Sequence, residues 1–269
     1  MRDLGSAPAV VVGVDGSPSA TQAALWAVDE AVSRDVPLRL VYVIDPADLA
    51  SGGADHHHLA AARAALSDTQ QAVEATGELV KIETEILWGK PLAKLREESR
   101  AATMVCIGSI GMTHACRGEG AVARALPGLA GCPVVVVRPP IGRSARPYAG
   151  SIVVEMGNDV ALQRAFEEAR LRGAPLRVVA VWQAEASDDI ADGNQLAQAQ
   201  LHRRITRWRR MYPDVAIESD VVPSSICRYL AAIGDSAQLF VTDVSGHRRA
   251  LSTPERVECC VLTVRDNHL

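Results

Sequence analysis

The chain of 269 residues has no Cys-x-x-Cys pair, no apolar run longer than a strand and no excess of basic charge. Each absence removes a class of protein. Without closely spaced ligand pairs, Cys106, Cys116, Cys132, Cys227, Cys259 and Cys260 do not read as a structural zinc site. They are expected as buried, reduced thiols, with Cys259 and Cys260 on opposite faces if they lie in a strand. Runs such as Val134 to Val137 are far too short to span a bilayer, and Met1 to Ser6 lacks the apolar stretch of a signal peptide. The expected location is cytoplasmic, with no membrane partner. A formal net charge of -4 gives no reason to expect a nucleic-acid partner. The local exception, Arg203-Arg204, Arg207 and Arg209-Arg210, fits the solvated side of a helix around Ile205 and Trp208. Also missing are a Walker lysine after a glycine loop, an acid–base pair at recognisable spacing and a nucleophile motif. Ser109 and His114 read as a turn serine and a surface histidine, so no catalytic residue and no enzyme activity are expected beyond slow incidental hydrolysis.

What is present is a duplication. With 48% hydrophobic and 22% charged residues the composition is globular, and the length suits two domains. Pro37-Leu38-Arg39 with Val41-Tyr42-Val43 returns as Pro175-Leu176-Arg177 with Val179-Ala180-Val181. Cys132-Pro133 with Val134 to Arg138 returns as Cys259-Cys260 with Val261 to Arg265. The repeat unit is a whole α/β domain, far longer than a solenoid repeat. The expected domains are residues 1–142 and 150–269, joined by the polar stretch Arg143 to Gly150.

In the first copy, apolar runs predict strands at Val10 to Val14, Leu38 to Ile44, Val80 to Leu87, Met104 to Ile107 and Val134 to Val137. Helices are predicted at Ala20 to Ser33, Ala60 to Ala75, Leu92 to Ala101 and Ala121 to Leu126. Ser17 or Ser19 can cap the first of these. Strands alternating with helices imply a parallel sheet covered on both sides, with right-handed crossovers. Asp45 to His58 reads as the least regular stretch. Its His56-His57-His58 run cannot converge on one ion without other ligands, so no metal is expected.

In such a sheet, ligands bind beyond the carboxyl ends of the strands. Asp15 follows the first strand, where its carboxylate can accept hydrogen bonds from a ribose or base. Val43 closes the second strand, where its amide and carbonyl can read an adenine edge. Gly108-Ser109-Ile110-Gly111 follows the fourth strand, and Gly118-Glu119-Gly120 precedes the helix at Ala121. Glycines there let a backbone approach a phosphate, and a helix start offers free amides, although strand-end glycines also serve simply to make turns.

Val12-Gly13-Val14-Asp15-Gly16-Ser17, Val41-Tyr42-Val43, Gly108-Ser109-Ile110-Gly111 and Cys132-Pro133 with Val134 to Val137 resemble the universal stress protein family. The resemblance covers nearly the whole chain as two tandem copies, most like the two-domain mycobacterial members. The arginine-heavy composition suits these, Lys81, Lys90 and Lys94 being the only lysines. It implies two tandem, doubly wound, parallel five-stranded sheets of the adenine nucleotide alpha-hydrolase-like kind. It also implies a stress-response regulatory or sensor module without catalysis, forming homodimers and acting on an unknown protein partner. The implied ligand is ATP or a related adenine nucleotide, bound weakly through the first domain, with magnesium arriving only on the nucleotide. Its implied contacts are Val14, Asp15 and Val43 at the adenosine end, and Gly108, Ser109, Gly111, Gly120, Ala121 and Val122 at the phosphates.

The match departs from the family's Gly-x2-Gly-x9-Gly-Ser/Thr pattern in two ways. Eight residues, not nine, separate Gly111 from Gly120, and Ala121 stands where a hydroxyl is expected. In the second copy, Glu155 is expected in place of Asp15, and Asp243-Val244-Ser245-Gly246 replaces the glycine loop. A carboxylate at Asp243 would repel phosphate, so no nucleotide is expected there. The alternative reading is an interaction or dimerisation scaffold that binds no nucleotide at all.

Overall fold

Continuous apolar runs such as Val10 to Val14 suit strands buried on both faces, and only a sheet covered by helices on each side provides that. The computed structural model describes residues 8–49, 55–111, 120–138, 150–182, 190–223, 225–252 and 257–265. Cys116, His114, Gly118, Glu119 and most of the 143–150 stretch lie outside these. The chain divides into two compact units, residues 1–139 and 140–269.

In the first unit the elements are β1 (Val10–Val14), α1 (Pro18–Ser33), β2 (Leu38–Ile44), α2 (Pro46–Leu49), α3 (Asp55–Glu74), β3 (Ile82–Trp88), α4 (Pro91–Glu98), β4 (Met104–Gly108), α5 (Ala121–Leu129) and β5 (Val134–Val137). The strands pair in the order β3-β2-β1-β4-β5, all parallel. α1 and α3 pack on one face. On the other, Leu95 of α4 and Ala123 and Leu126 of α5 join Val11, Val41, Val105, Ile107, Val134 and Val136 in one buried cluster. Strand order reverses between β1 and β4, which places the crevice there.

The second unit repeats this with β6 (Ser151–Glu155), α6 (Asp159–Leu171), β7 (Leu176–Trp182), α7 (Ile190–Met211), β8 (Ile217–Pro223), α8 (Ile226–Ile233), β9 (Ala237–Asp243), α9 (Val244–Ser252) and β10 (Cys260–Val264). Its parallel order is β8-β7-β6-β9-β10. Phe166 of α6 stacks on Trp208 and Tyr212, with ring centroids 5.4 and 5.1 Å away. Ile205 and Trp208 turn α7 inward, and Arg203, Arg207, Arg209 and Arg210 are exposed, so the basic run is a solvated face.

Several boundaries differ from the sequence expectation. α1 begins at Pro18, because Ser17 caps it by accepting from the Ala20 amide at 3.2 Å and proline suits a first turn. α3 begins at Asp55, so His56, His57 and His58 lie in its first turn and not in an irregular loop. β3 runs to Trp88 because its ladder with β2 continues to Ile44. α4 is shorter than expected and ends at Glu98, where Ser99 takes over as cap. α5 continues past Pro127 to Leu129, since a proline near a helix end loses only one backbone bond. The five described cysteines are buried, and burial pushes the Cys132 thiol up to about 12. Cys259 precedes its strand and does not lie in it.

Candidate functional site

The sheet register of the first unit brings the expected nucleoside residues to one point. Val14 is the last residue of β1 and pairs with Tyr42, and that ladder goes no further. β2 continues, paired with β3 as far as Ile44 and Trp88. Peptides of a parallel strand alternate in the direction they face. Pro37 accepts from the Val10 amide, whereas Leu38 donates to Lys81 and Ile44 accepts from Gly89, both on the β3 side. The Val43 carbonyl therefore points toward the β1 side, past the last residue of that ladder. Its amide lies within the ladder, so Val43 presents an acceptor, and the expectation of a donor as well is corrected. The Val43 side chain packs into the buried cluster. Asp15 is exposed just beyond Val14, and its Oδ1 accepts from the Ser17 amide at 2.9 Å.

The expected phosphate residues lie next to these. Gly108 pairs with Val137, and the Ser109 amide donates to the Val137 carbonyl at 2.9 Å. The Ser109 carbonyl accepts from the Gly120 amide at 2.8 Å, which ties the two ends of the loop together. Ser109 is buried, so its role is to anchor and its hydroxyl is not presented to solvent. Gly111 lies against the same junction: a Cβ on Gly120 would stand 3.6 Å from its amide nitrogen. Gly120 is the N-cap of α5 and, among the described residues, no side chain caps that helix. Ala121 is exposed, and Val122 packs its side chain on the cluster below, which leaves their amides to the helix start.

Gly108 has a structural reason of its own. A Cβ there would meet the Ser19 carbonyl carbon and Oγ at 2.6 Å and the Ala20 nitrogen at 2.8 Å. It is a glycine because α1 crosses close over the end of β4, and nothing in the local sequence marks Ser19 as the cause. The Ile110 amide reaches the Ser19 Oγ at 3.5 Å, a long contact that binds the loop to α1.

A model of the universal stress protein family matches residues 8–138. A universal stress protein of Mycobacterium tuberculosis is 51% identical over 270 residues, covering 100% of both chains. The chain belongs to the universal stress protein family. Another from the same organism is 45% identical over 249 residues, 88% of this chain and 86% of that one. The crystal structure of a universal stress protein from Archaeoglobus fulgidus has a TM-score of 0.67 at 16% identity, covering 96% of each chain, a likeness of fold.

The second unit of this universal stress protein is built differently at the same place. The Val10 amide bonds Pro37, and the Ile152 amide bonds Pro175, so Val10 and Ile152 are equivalent. Gly13 pairs with Val41, and Glu155 with Val179. Glu155 therefore stands at the position of Gly13, and the expectation that it replaces Asp15 is corrected. Counting on from that register, Asp15 corresponds to Gly157, which has no side chain. The cap of the following helix is Asn158, which accepts from the Val160 and Ala161 amides at 2.8 and 3.2 Å.

Asp243 does take the place of Gly108, since Val12 pairs with Cys106 and Val154 with Val241. α9 follows without a loop, and Asp243 Oδ1 accepts from the Gly246 amide at 2.7 Å. This is an N-cap bond: the stress protein's own carboxylate occupies a helix-start amide. Glu155 meets Arg249 of α9 at 2.8 Å. Burial and, secondarily, the Asp243 charge act against its ionisation, so its carboxyl lies above the usual range despite the arginine. Among the described residues no group of three or more His, Cys, Asp or Glu side chains is arranged to hold a metal, and no helix is long and apolar enough to cross a membrane.

Proposed function

We propose that this universal stress protein is a non-catalytic regulatory module that binds ATP or a related adenine nucleotide in its first unit and none in its second. The observation that carries the reading is the start of α5 at Gly120, which no side chain caps among the described residues, bonded to Ser109 and lying beside Gly111 and Asp15, at the same end of the sheet as Val43. Helix-start amides and their dipole favour a phosphate. The Asp15 carboxylate accepts from ribose hydroxyls, and the Val43 carbonyl accepts from the exocyclic amino group of adenine. An acceptor at that edge discriminates against guanine, whose carbonyl in the same place leaves two acceptors facing each other. Magnesium arrives with the phosphates.

The loop is one residue shorter than the family pattern, and its two ends are joined by the bond from the Gly120 amide to the Ser109 carbonyl. Ala121 lacks the hydroxyl of the family pattern, which costs about 0.5–1.5 kcal/mol of phosphate binding. In the second unit, Asp243 already fills the helix start with negative charge. Binding transmits a signal only by favouring one conformation or assembly over another, so the regulatory output requires a nucleotide-dependent partner.

A second reading, a scaffold that binds no nucleotide, is favoured by one observation: Asp15 already bonds within the protein, to the Ser17 amide. Calorimetric titration of the full chain with magnesium and ATP, or GTP, separates the two. Micromolar ATP binding that is lost in Asp15→Ala and weaker for GTP supports the nucleotide module. No heat at millimolar ATP supports the scaffold.

A further inference from the structure

The helix between the second and third strands is unlike in the two units. α3 mixes its charges, with Arg63, Asp68 and Glu74 all exposed. α7 does not: from Gln195 to Met211 it carries five arginines and one histidine and no carboxylate. Its inner face is Leu201, Ile205 and Trp208, all buried. Arg203, Arg207 and Arg210 lie three and four residues apart and so share the outer face, over about 10 Å of helix. Leu196, seven residues before Arg203, and Met211, four after Arg207, fall on that face too, and they are 57% and 52% exposed.

Many arginines of the chain are neutralised. Arg34, Arg39, Arg164, Arg172, Arg177 and Arg249 each reach a carboxylate. On α7 itself Arg204 does so, bonding Asp159 at 2.5 Å and the Gly157 carbonyl at 3.2 Å. Among the described residues no carboxylate pairs with Arg203, Arg207, Arg209 or Arg210, and the one side-chain bond these four make runs from Arg203 Nε to the Ala199 carbonyl of the same helix at 3.4 Å. The helix does not need this charge for itself, since like charges three and four residues apart repel. Arg209 and Arg210, in the last turn, suit the negative end of the helix dipole, but Arg203 and Arg207 stand before that turn and gain little from it.

We infer that the outer face of α7 docks an acidic helix of a partner protein, one with carboxylates three and four residues apart between two apolar side chains. A guanidinium pairs a carboxylate through two parallel bonds, and three of them at helical spacing match carboxylates at the same spacing. Leu196 and Met211 bracket the charges and give the two ends of such a helix apolar contacts. A phosphate backbone has no use for these two side chains, and a lipid surface requires a continuous apolar face, which α7 turns inward. The inference is independent of the nucleotide reading.

The test uses the full chain and a fluorescein-labelled synthetic helix with glutamates at three- and four-residue spacing between two leucines, followed by fluorescence anisotropy. The controls are a peptide of the same composition with its glutamates spread around the helix, a single-stranded RNA oligomer and phosphatidylglycerol vesicles. Wild type should bind the striped peptide most tightly of the four. Arg203→Gln with Arg207→Gln should weaken that binding about tenfold at low salt, and by less as salt rises. Leu196→Gln with Met211→Gln should weaken it about threefold and leave its salt dependence unchanged. A striped peptide carrying lysine for glutamate should bind Arg203→Glu with Arg207→Glu and not wild type, a gain that an unfolded variant cannot give. No binding of the striped peptide at millimolar concentration, equal affinity for the scrambled one, no loss in either glutamine variant, no gain for the lysine peptide, or tighter binding of RNA or vesicles overturns the inference.

Discussion

The Asp15 Oδ2 lies 2.7 Å from the point at which a Cβ on Gly111 would stand, so the Asp15 carboxylate and the glycine loop after β4 are in direct apposition. Asp15 cannot simply swing aside, because its Oδ1 holds the Ser17 amide. Gly111→Ala should therefore destabilise the wild type by about 1 kcal/mol, the worth of that hydrogen bond. In an Asp15→Ala background the same substitution should cost close to nothing. Chemical denaturation of the four proteins of this cycle measures the coupling. Additive effects would mean that the two residues do not press on each other.

Ala121 begins α5 with its amide in place and no hydroxyl. Ala121→Ser should raise ATP affinity by up to about tenfold through one added bond to a charged phosphate. Adenosine, lacking phosphate, should bind as before. An equal gain for both ligands would place the phosphates elsewhere.

At the corresponding point of the second unit, Asp243 caps α9 through the Gly246 amide. Asp243→Ala should cost about 1 kcal/mol in thermal or denaturant unfolding, and Asp243→Asn much less, since an amide oxygen caps nearly as well. If alanine is tolerated without loss, the cap is not what fixes this end of the helix.

Glu155 has its carboxyl raised above the ordinary range, first by burial and then by Asp243. The folded state consequently holds the proton more tightly than the unfolded chain. The resulting stabilisation is complete below the unfolded value of about 4.3 and declines as pH rises through the folded value. Glu155→Gln cannot lose that proton. Its melting temperature relative to wild type should climb as pH is taken from about 4 to about 7, and a difference independent of pH would show that Glu155 ionises as readily in the fold as outside it.

Much of this was legible in the residues themselves. The β1 and β5 runs are apolar on both faces, and β2 is so apart from Arg39; strands buried in a parallel sheet read that way wherever they occur. The repeated Pro-Leu-Arg and Cys-Pro or Cys-Cys strings marked the duplication. The family motif placed Asp15, Gly108, Gly111 and Gly120 at adjoining strand and helix ends, where the structure brings them together. Other features depend on register or on distant contacts. Glu155 follows an apolar strand much as Asp15 does, and only pairing with Val179 assigns it to the place of Gly13. Gly108 looks like a phosphate glycine, yet Ser19, far off in sequence, is what excludes a side chain there. The direction of the Val43 carbonyl follows from which neighbour each peptide of β2 bonds, and no residue pattern encodes that. The helical start of α3 was hidden because consecutive histidines carry no apolar periodicity.

The central claim is an asymmetry: one adenine nucleotide per chain, held by the first unit. Equilibrium dialysis of labelled ATP against the full-length protein counts the sites directly. The account predicts one ATP per chain for wild type and for Asp243→Ala, and none for Asp15→Ala at the same concentrations. Two sites per chain, or one site that survives Asp15→Ala, would contradict it.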